Sequence, residues 1–397
     1  MIYQFANCSI DPERHAFMRN GKPVHVEPQV FALLLALIEK QGRLVTKDEL
    51  IEIVWRGLSV SDATISARIN AARKAVGDSG KKQVIIKTVH GRGFQLVATV
   101  YSDQTSVEKK PATEIISTQA IRFVSSSHNA KIAFAQSGEG PPLIRVGHWL
   151  SHLELDWHSS VWRPLIDALG SNHTLYRYDQ RGTGLSSRDL DYADLDVFTD
   201  DLKAVADASG LESFPIFAAS QAVPVAIRFA VKYPERVSGL ILYGGFAEGR
   251  ALRKASPDDI DENTLLGLIR AGWGQADSPF VKAFSSLSLP DATSEQMDSF
   301  VKMQTETITP ENAARLRQVV DRFSVKDILH LVSSPTLVVH AISDAMQPIE
   351  QGRILASEIP NAKYVSMASR NHIPLPQEES WAQMMREIQS FLQSIGN

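Results

Sequence analysis

The sequence predicts two units of different class. Residues 1–100 read as an α+β winged helix-turn-helix, and residues 120–397 as a mostly parallel, doubly wound α/β sheet with a helical cap. Three observations predict this. The first hundred residues hold a tight-hairpin signal, three amphipathic helical stretches and a second hairpin with a Gly-rich tip. After a polar stretch, short apolar strands alternate with helical segments, the order from which parallel sheets are built. The charge is also divided: residues 1–100 carry 14 Lys and Arg against 9 Asp and Glu, and the remainder carries 27 against 36. A basic domain joined to an acidic one directs a polyanion to the first and another role to the second.

The whole chain bounds the answer further. At 397 residues it has room for two or three domains with sizeable cores. Its single cysteine, Cys8, excludes an internal disulfide framework and fits a reducing compartment. Met1–Ile10 lacks the basic start and apolar run of a secretory signal, and no stretch approaches 18 apolar residues. A cytoplasmic protein without a membrane partner is expected.

In chain order, YQFANCSI and FMRNGKPVHV form a small antiparallel sheet, with Asn20-Gly21 supplying the positive φ of a type I′ turn. PQVFALLLALIEKQG is a helix with Val30, Leu33, Leu34, Leu37 and Ile38 on one stripe and Gly42 as its stop. A second helix opens on the capping box Thr46/Glu49 and ends near Gly57. The third, about Asp62–Val76, turns Ile65, Ile69, Ala72 and Val76 inward. That leaves Ala63, Ala67, Asn70 and Lys74 facing out, with Arg68 and Arg73 on the flanks. Small residues beside Asn and basic groups let a helix lie close in a major groove. A solvated amphipathic helix is the alternative. The hairpin QVIIKTVHGRGFQLVA, with Lys87, His90 and Arg92 near its tip, decides for the groove, since such a wing reaches phosphates or the minor groove.

SDATISARINAARKAVGD and VIIKTVHGRGFQL resemble the recognition helix and wing of OmpR/PhoB-type effector domains, including those of CadC-like regulators that carry the domain at the N-terminus. The resemblance implies binding to double-stranded DNA, often as a homodimer on repeated half-sites. Ala63 stands where a basic residue is common in that family, so base contacts are expected to differ. Residues 101–119, polar and carrying Pro111, read as a flexible linker.

From Ile121, IRFVSS and KIAFAQSG form an opening hairpin. PLIRVG, HTLYRYD, FPIFAA, VSGLILYGG, PTLVVHA and AKYVSMA supply six more strands. Residues about 246–332 are a helical insertion bearing Trp273, Phe280, Phe284 and Phe300, suited to a cap over a pocket. Ser220 lies between a strand and a helix in FAASQAVPVAIRFA, where a sharp turn exposes its hydroxyl. Asp344 follows a strand, and His372 sits in SRNHIPL. Their roles would be nucleophile, orienting carboxylate and general base. The backbone N–H of Gln221 and that of Trp149 are the expected oxyanion donors, with His148 beside them at the ligand site.

Nearly all of residues 121–397 resembles the α/β-hydrolase domains fused to winged-helix regulators and to adenylate cyclases. The stretches that carry the likeness are WLSHLELDWHSSVWRPL, YRYDQRGTGLSS, YPERVSGLILYGGFAEGR, SLPDATSEQM, TPENAARLRQVV and SRNHIPL. In that group the elbow reads G-x-S-Q-G-G. Here it reads A-A-S-Q-A-V, with Ala218 and Ala222 at flanking glycine positions, and the usual His-Gly before the oxyanion residue is Gly147-His148. Two extra methyls are expected to narrow the turn, which weighs against efficient hydrolysis and leaves a shaped pocket. His148, His152 and His158 with Glu154 and Asp156 match no metal-ligand spacing, and DQRGTG lacks the spacing of a dinucleotide site, so no metal or other cofactor is expected. The reading is a DNA-binding regulator whose second domain binds an acyl ester, lactone or fatty-acid-like signal, with slow hydrolysis of that signal left open. The alternative is a serine esterase or lactonase with an accessory DNA-binding domain.

Overall fold

The computed structural model describes residues 3–12, 14, 16–40, 43–55, 60–89, 91–98, 100–102, 119–254, 260–274 and 278–396. The chain divides into two compact units, Met1–Glu114 and Ile115–Asn397. Gly42, Gly57, His90 and residues 103–118 lie outside the described residues.

The first unit runs β1 (Tyr3–Phe5), β2 (Cys8–Asp11), β3 (Ala16–Arg19), β4 (Lys22–Pro23), α1 (Pro28–Glu39), α2 (Lys47–Trp55), α3 (Asp62–Val76), β5 (Ile86–Val89), β6 (Gly93–Leu96) and β7 (Val100–Ser102). An antiparallel sheet of order β4-β3-β2-β1-β7 forms one layer. Asn20 and Gly21 join β3 to β4 with φ of 53° and 70°, the two positive values of a type I′ turn. β7 closes the far edge against β1, so the expected linker begins with two residues of strand.

Local chemistry sets the helix ends. Pro28 starts α1, where a missing N–H costs nothing. Thr46 and Glu49 cap α2 reciprocally, at 2.9 and 3.2 Å. Ser61 caps α3, and Gly77, at φ 78°, ends it in the left-handed region that favours glycine. Leu33, Leu34, Leu37 and Ile38 from α1 meet Leu50, Ile65, Ile69 and Leu96 in one core. The wing, β5 and β6, is docked by a bridge in which Val45 and Phe94 exchange backbone hydrogen bonds of 2.8 and 2.9 Å.

The second unit opens with the β8 (Ala120–Ser125) and β9 (Lys131–Ser137) hairpin. It continues β10 (Pro142–Arg145), α4 (Leu153–His158), α5 (Arg163–Gly170), β11 (Thr174–Tyr178), α6 (Leu195–Ala208), β12 (Phe214–Ala219), α7 (Ala222–Lys232) and β13 (Val237–Tyr243). Four helices follow before the next strand: α8 (Glu262–Gly272), α9 (Pro279–Ser288), α10 (Ser294–Thr307) and α11 (Pro310–Val320). The chain closes with β14 (Thr336–Ala341), α12 (Ile349–Glu358), β15 (Lys363–Met367) and α13 (Glu379–Ile395). The sheet order is β15-β14-β13-β12-β10-β11-β9-β8, parallel from β15 to β11 and antiparallel at the opening hairpin. Central strands are apolar throughout (β14 is buried at all six positions) because helices cover both faces. Among the described residues no helix is long and apolar enough to cross a membrane.

Gly93 generates a test of the wing. It sits at φ 149°, and a Cβ there would lie 2.1 Å from the carbonyl oxygen of Val45. Gly93→Ala is expected to destabilise the first unit by on the order of 2 kcal/mol. In thermal unfolding of the full chain, the transition of residues 119–397 should stay in place while the other moves down.

Candidate functional site

In the first unit, α3 presents Ala63, Ser66, Ala67, Asn70 and Lys74 to solvent, and Lys87 and Arg92 are exposed on the wing. Ser66 on this face was missed by the sequence reading, although its position one turn before Asn70 was visible. Arg73 is a correction. It is only 6% exposed, and its guanidinium donates to the Ile86 carbonyl (3.1 and 2.9 Å) and to Thr88 Oγ1 (2.8 Å). It fastens the recognition helix to the wing, because β5 covers the flank of α3 where a helical wheel leaves it open. Arg68 is half-buried and held by Gln29 Oε1 at 3.0 Å and by Glu27, so it ties α3 to the start of α1.

In the second unit, Ser220 occupies the turn from β12 into α7 at φ 55°, with its N–H on the Tyr243 carbonyl at 2.9 Å. A non-glycine residue held there stores strain that the flanking strand and helix impose. Ala218 and Ala222 are fully buried. Their methyls do not displace the serine from its left-handed conformation. The close approach falls elsewhere: a Cβ on Gly245 would lie 2.4 Å from Val223 Cβ. The valine at the end of A-A-S-Q-A-V is thus matched by a glycine just after β13.

Asp344 and His372 meet as expected, with Asp344 Oδ2 2.7 Å from His372 Nδ1. The other carboxylate oxygen accepts the N–H groups of Met346 (2.8 Å) and Gln347 (3.0 Å). Burial pushes this carboxyl up, but the His372 ring and those two amides outweigh it and hold it below the ordinary aspartate range. The pairing leaves Nε2 as the free nitrogen of His372. Gly244 (φ 54°) follows β13, where a Cβ would touch His372 Nδ1 at 3.4 Å and Asp344 Oδ2 at 3.6 Å. The cap reaches the same loop: the Ser288 carbonyl accepts the His372 N–H at 2.9 Å, and Asn371 Oδ1 accepts the N–H of Asp291 at 3.1 Å.

Ser220, Gln221, His372, Trp149 and His148 line one cavity. With its open mouth included it encloses about 800 Å³, walled mainly by Trp162, Phe217, Tyr243, Phe246, Phe284 and Phe300. Trp149 packs edge-on to the cap residue Trp273 at 6.3 Å. The Gln221 side chain donates to Gln180 Oε1 at 2.6 Å, which fixes the start of α7 to the loop after β11. Both His148 nitrogens are engaged, Nδ1 with the Trp149 carbonyl (2.8 Å) and Nε2 with Asp156 Oδ2 (3.2 Å). His148 therefore holds the Trp149 turn and offers no free nitrogen to a ligand. His152 caps α4 instead of facing a metal, accepting the Leu155 N–H at 3.4 Å. No group of three or more His, Cys, Asp or Glu side chains has metal-holding geometry among the described residues.

Behind the Trp149 turn lie two buried aspartates of opposite character. Burial also raises Asp156, but His148 and the guanidiniums of Arg145 and Arg177 reverse that and hold it ionised. Asp179 is pushed well up by burial and by the charge of Asp156. A carboxylate whose pKa is depressed on folding contributes stability above its unfolded pKa, lost as pH falls through the folded value; a raised one does the opposite. Asp156→Asn is accordingly expected to cost about 3 kcal/mol at pH 7, since the buried Arg145 guanidinium loses its ion-pair partner and Arg177 a neighbouring negative charge. Asp179→Asn should be neutral or stabilising there. Chemical denaturation at pH 7 checks both signs.

Comparison with known proteins bears on the two units. The family model "Transcriptional regulatory protein, C terminal" matches residues 21–96, and that for the alpha/beta hydrolase fold matches residues 154–273. Over 91 residues the chain is 38% identical to the cholera toxin homolog transcriptional activator of Vibrio parahaemolyticus, covering 21% of this chain and 31% of that one. Over 254 residues it is 25% identical to pyrrolizixenacetamide deacetylase of Xenorhabdus hominickii, covering 63% of this chain and 92% of the other. In fold, a thermophilic esterase from Thermogutta terrifontis superimposes with a TM-score of 0.57 at 21% identity, over 70% of this chain and all of the other. The chain joins a transcriptional-regulator domain of the OmpR/PhoB type to an α/β-hydrolase domain.

Proposed function

We propose that this is a cytoplasmic transcriptional regulator, acting on double-stranded DNA as a homodimer, whose hydrolase-fold cavity binds a small acyl ester, lactone or fatty-acid-like signal and sets the affinity for DNA. The observation that carries the reading is the cavity: an apolar space around a strained serine and a buried Asp–His pair, on a chain that also bears a DNA-binding domain. Asn70 and Lys74 would enter the major groove, while Lys87 and Arg92 meet phosphates.

The residues support slow acyl transfer as well as binding. Ser220 Oγ attacks the acyl carbon while His372 Nε2 takes its proton and Asp344 stabilises the imidazolium. The acyl–oxygen bond then breaks as His372 gives that proton to the departing alcohol, and water, deprotonated by His372, releases the acid and restores Ser220. The N–H groups of Gln221 and Trp149 receive the developing oxyanion. The retained turn at Ser220 favours this over a purely inert receptor, and likeness to a protein named as a deacetylase adds acyl amides to the candidate bonds. A signal hydrolysed in its own receptor resets the switch. Coupling requires only that the ligand bind one arrangement of the chain better than another. Cap and catalytic loop share hydrogen bonds at Ser288 and Asn371, so a ligand that shifts one strains the other.

Ser220→Ala separates this reading from an esterase with an accessory DNA-binding domain. With p-nitrophenyl acetate, turnover should fall at least about a thousandfold. A gel shift should still respond to the ligand, and for longer. Loss of the DNA response together with turnover favours the esterase. On the DNA side, Lys87→Ala and Arg92→Ala should each weaken binding across unrelated sequences and reduce the salt slope by about one. Arg73→Ala should lower the melting temperature of the first unit before any contact is tested.

A further inference from the structure

The cavity is apolar around Ser220 but ends at the cap in a set of charges. Arg250, Arg317 and Asp321 line it there. Arg317 and Asp321 form a two-pronged pair, Nε to Oδ2 and Nη2 to Oδ1, both 2.8 Å. Each carboxylate oxygen of Asp321 is therefore committed. Arg250 donates to the Ile260 carbonyl and takes part in no ion pair among the described residues. Behind them Arg253 donates to the Glu248 carbonyl and to Gln347 Oε1, both at 2.6 Å. Glu248 is itself paired with Lys326 at 3.0 Å. Two guanidiniums thus line one end of this apolar cavity with a third behind them, and the single carboxylate that lines it there is already paired with Arg317. Burial is the main cause that depresses Arg253 to about 10; Asp321 and Glu248 oppose it, and Arg317 and Arg250 add to it.

We propose that the ligand of this cavity carries a carboxylate or an equivalent anion held by Arg250 and Arg317 at the cap end, while its acyl group lies at Ser220. This deepens the ligand-binding reading above and rests on it. The ligand class becomes an acidic acyl compound, such as a half-ester of a dicarboxylic acid, and not a neutral lipid. Planar guanidiniums match a carboxylate in two-point geometry, and a partly desolvated site strengthens that contact. An uncharged ligand of the same length would leave the excess positive charge uncompensated, which is the basis of discrimination.

The test uses the full chain carrying Ser220→Ala, so that neither probe is consumed. Quenching of tryptophan fluorescence, with Trp149 and Trp162 on the cavity wall, reports binding of the monomethyl and dimethyl esters of an eight-carbon dicarboxylic acid. The expected result is at least tenfold tighter binding of the monoester. Adding Arg250→Gln should bring the two within about twofold, and adding Arg250→Lys, which keeps the charge, should retain most of the preference. Equal binding of the two probes by Ser220→Ala alone overturns the inference and leaves the ligand-binding reading standing. Binding of neither also overturns it, and the earlier reading is then judged by its own gel shift. A preference that survives Arg250→Gln assigns the anion elsewhere and overturns the inference in its residues.

Discussion

Ser220 is held at φ 55° between a strand and a helix, and the Ser220–His372 end of the second unit is arranged around that one backbone conformation. Its N–H bonds to Tyr243 at the end of β13, and its carbonyl accepts the Val223 N–H in the first turn of α7. Both strand and helix must come close for this to hold. Gly245 permits it by leaving room for Val223, and Gly244 permits the Asp344–His372 pair to approach the same strand end. An alanine at Gly245 would clash with Val223, and one at Gly244 would sit at a strained φ against His372 and Asp344. The strained serine, the two glycines and the acid–histidine pair therefore form a single packing solution.

Much of this was legible in the chain, for physical reasons. Helix caps and tight turns are local, so Asn20-Gly21, the Thr46/Glu49 box and Gly77 act where the residues stand. The third helix runs Asp62–Val76, as its periodicity indicates. The strand–turn–helix around Ser220 and the order Ser, Asp, His are likewise written in sequence. What was not legible depends on residues far apart. Arg73 reads as an exposed flank until β5, thirteen residues later, lies over it. The stretch A-A-S-Q-A-V suggests a crowded elbow because the glycine that makes room for its valine, Gly245, is more than twenty residues away. His148 reads as a ligand group, but Asp156 and the Trp149 carbonyl take both its nitrogens.

The cap shows the same limit. Its helices and aromatic residues could be read, but not that Arg250, Arg317 and Asp321 converge on the cavity from different segments. Nor could the sequence show that Ser288 and Asp291 bond to the loop of His372. Those bonds make the cap part of the support of the His372 loop. They also give a physical route by which a bound molecule is felt beyond its own contacts, since moving either segment breaks buried backbone hydrogen bonds.

The central claim is that the state of this cavity sets the affinity of the chain for DNA. The most direct measurement is the Kd for a DNA fragment selected by the unmodified protein, repeated after a fluorophosphonate has modified Ser220 to completion, as verified by mass. The account predicts a change of at least tenfold, about 1.4 kcal/mol of coupling. An unchanged Kd at full modification would contradict it.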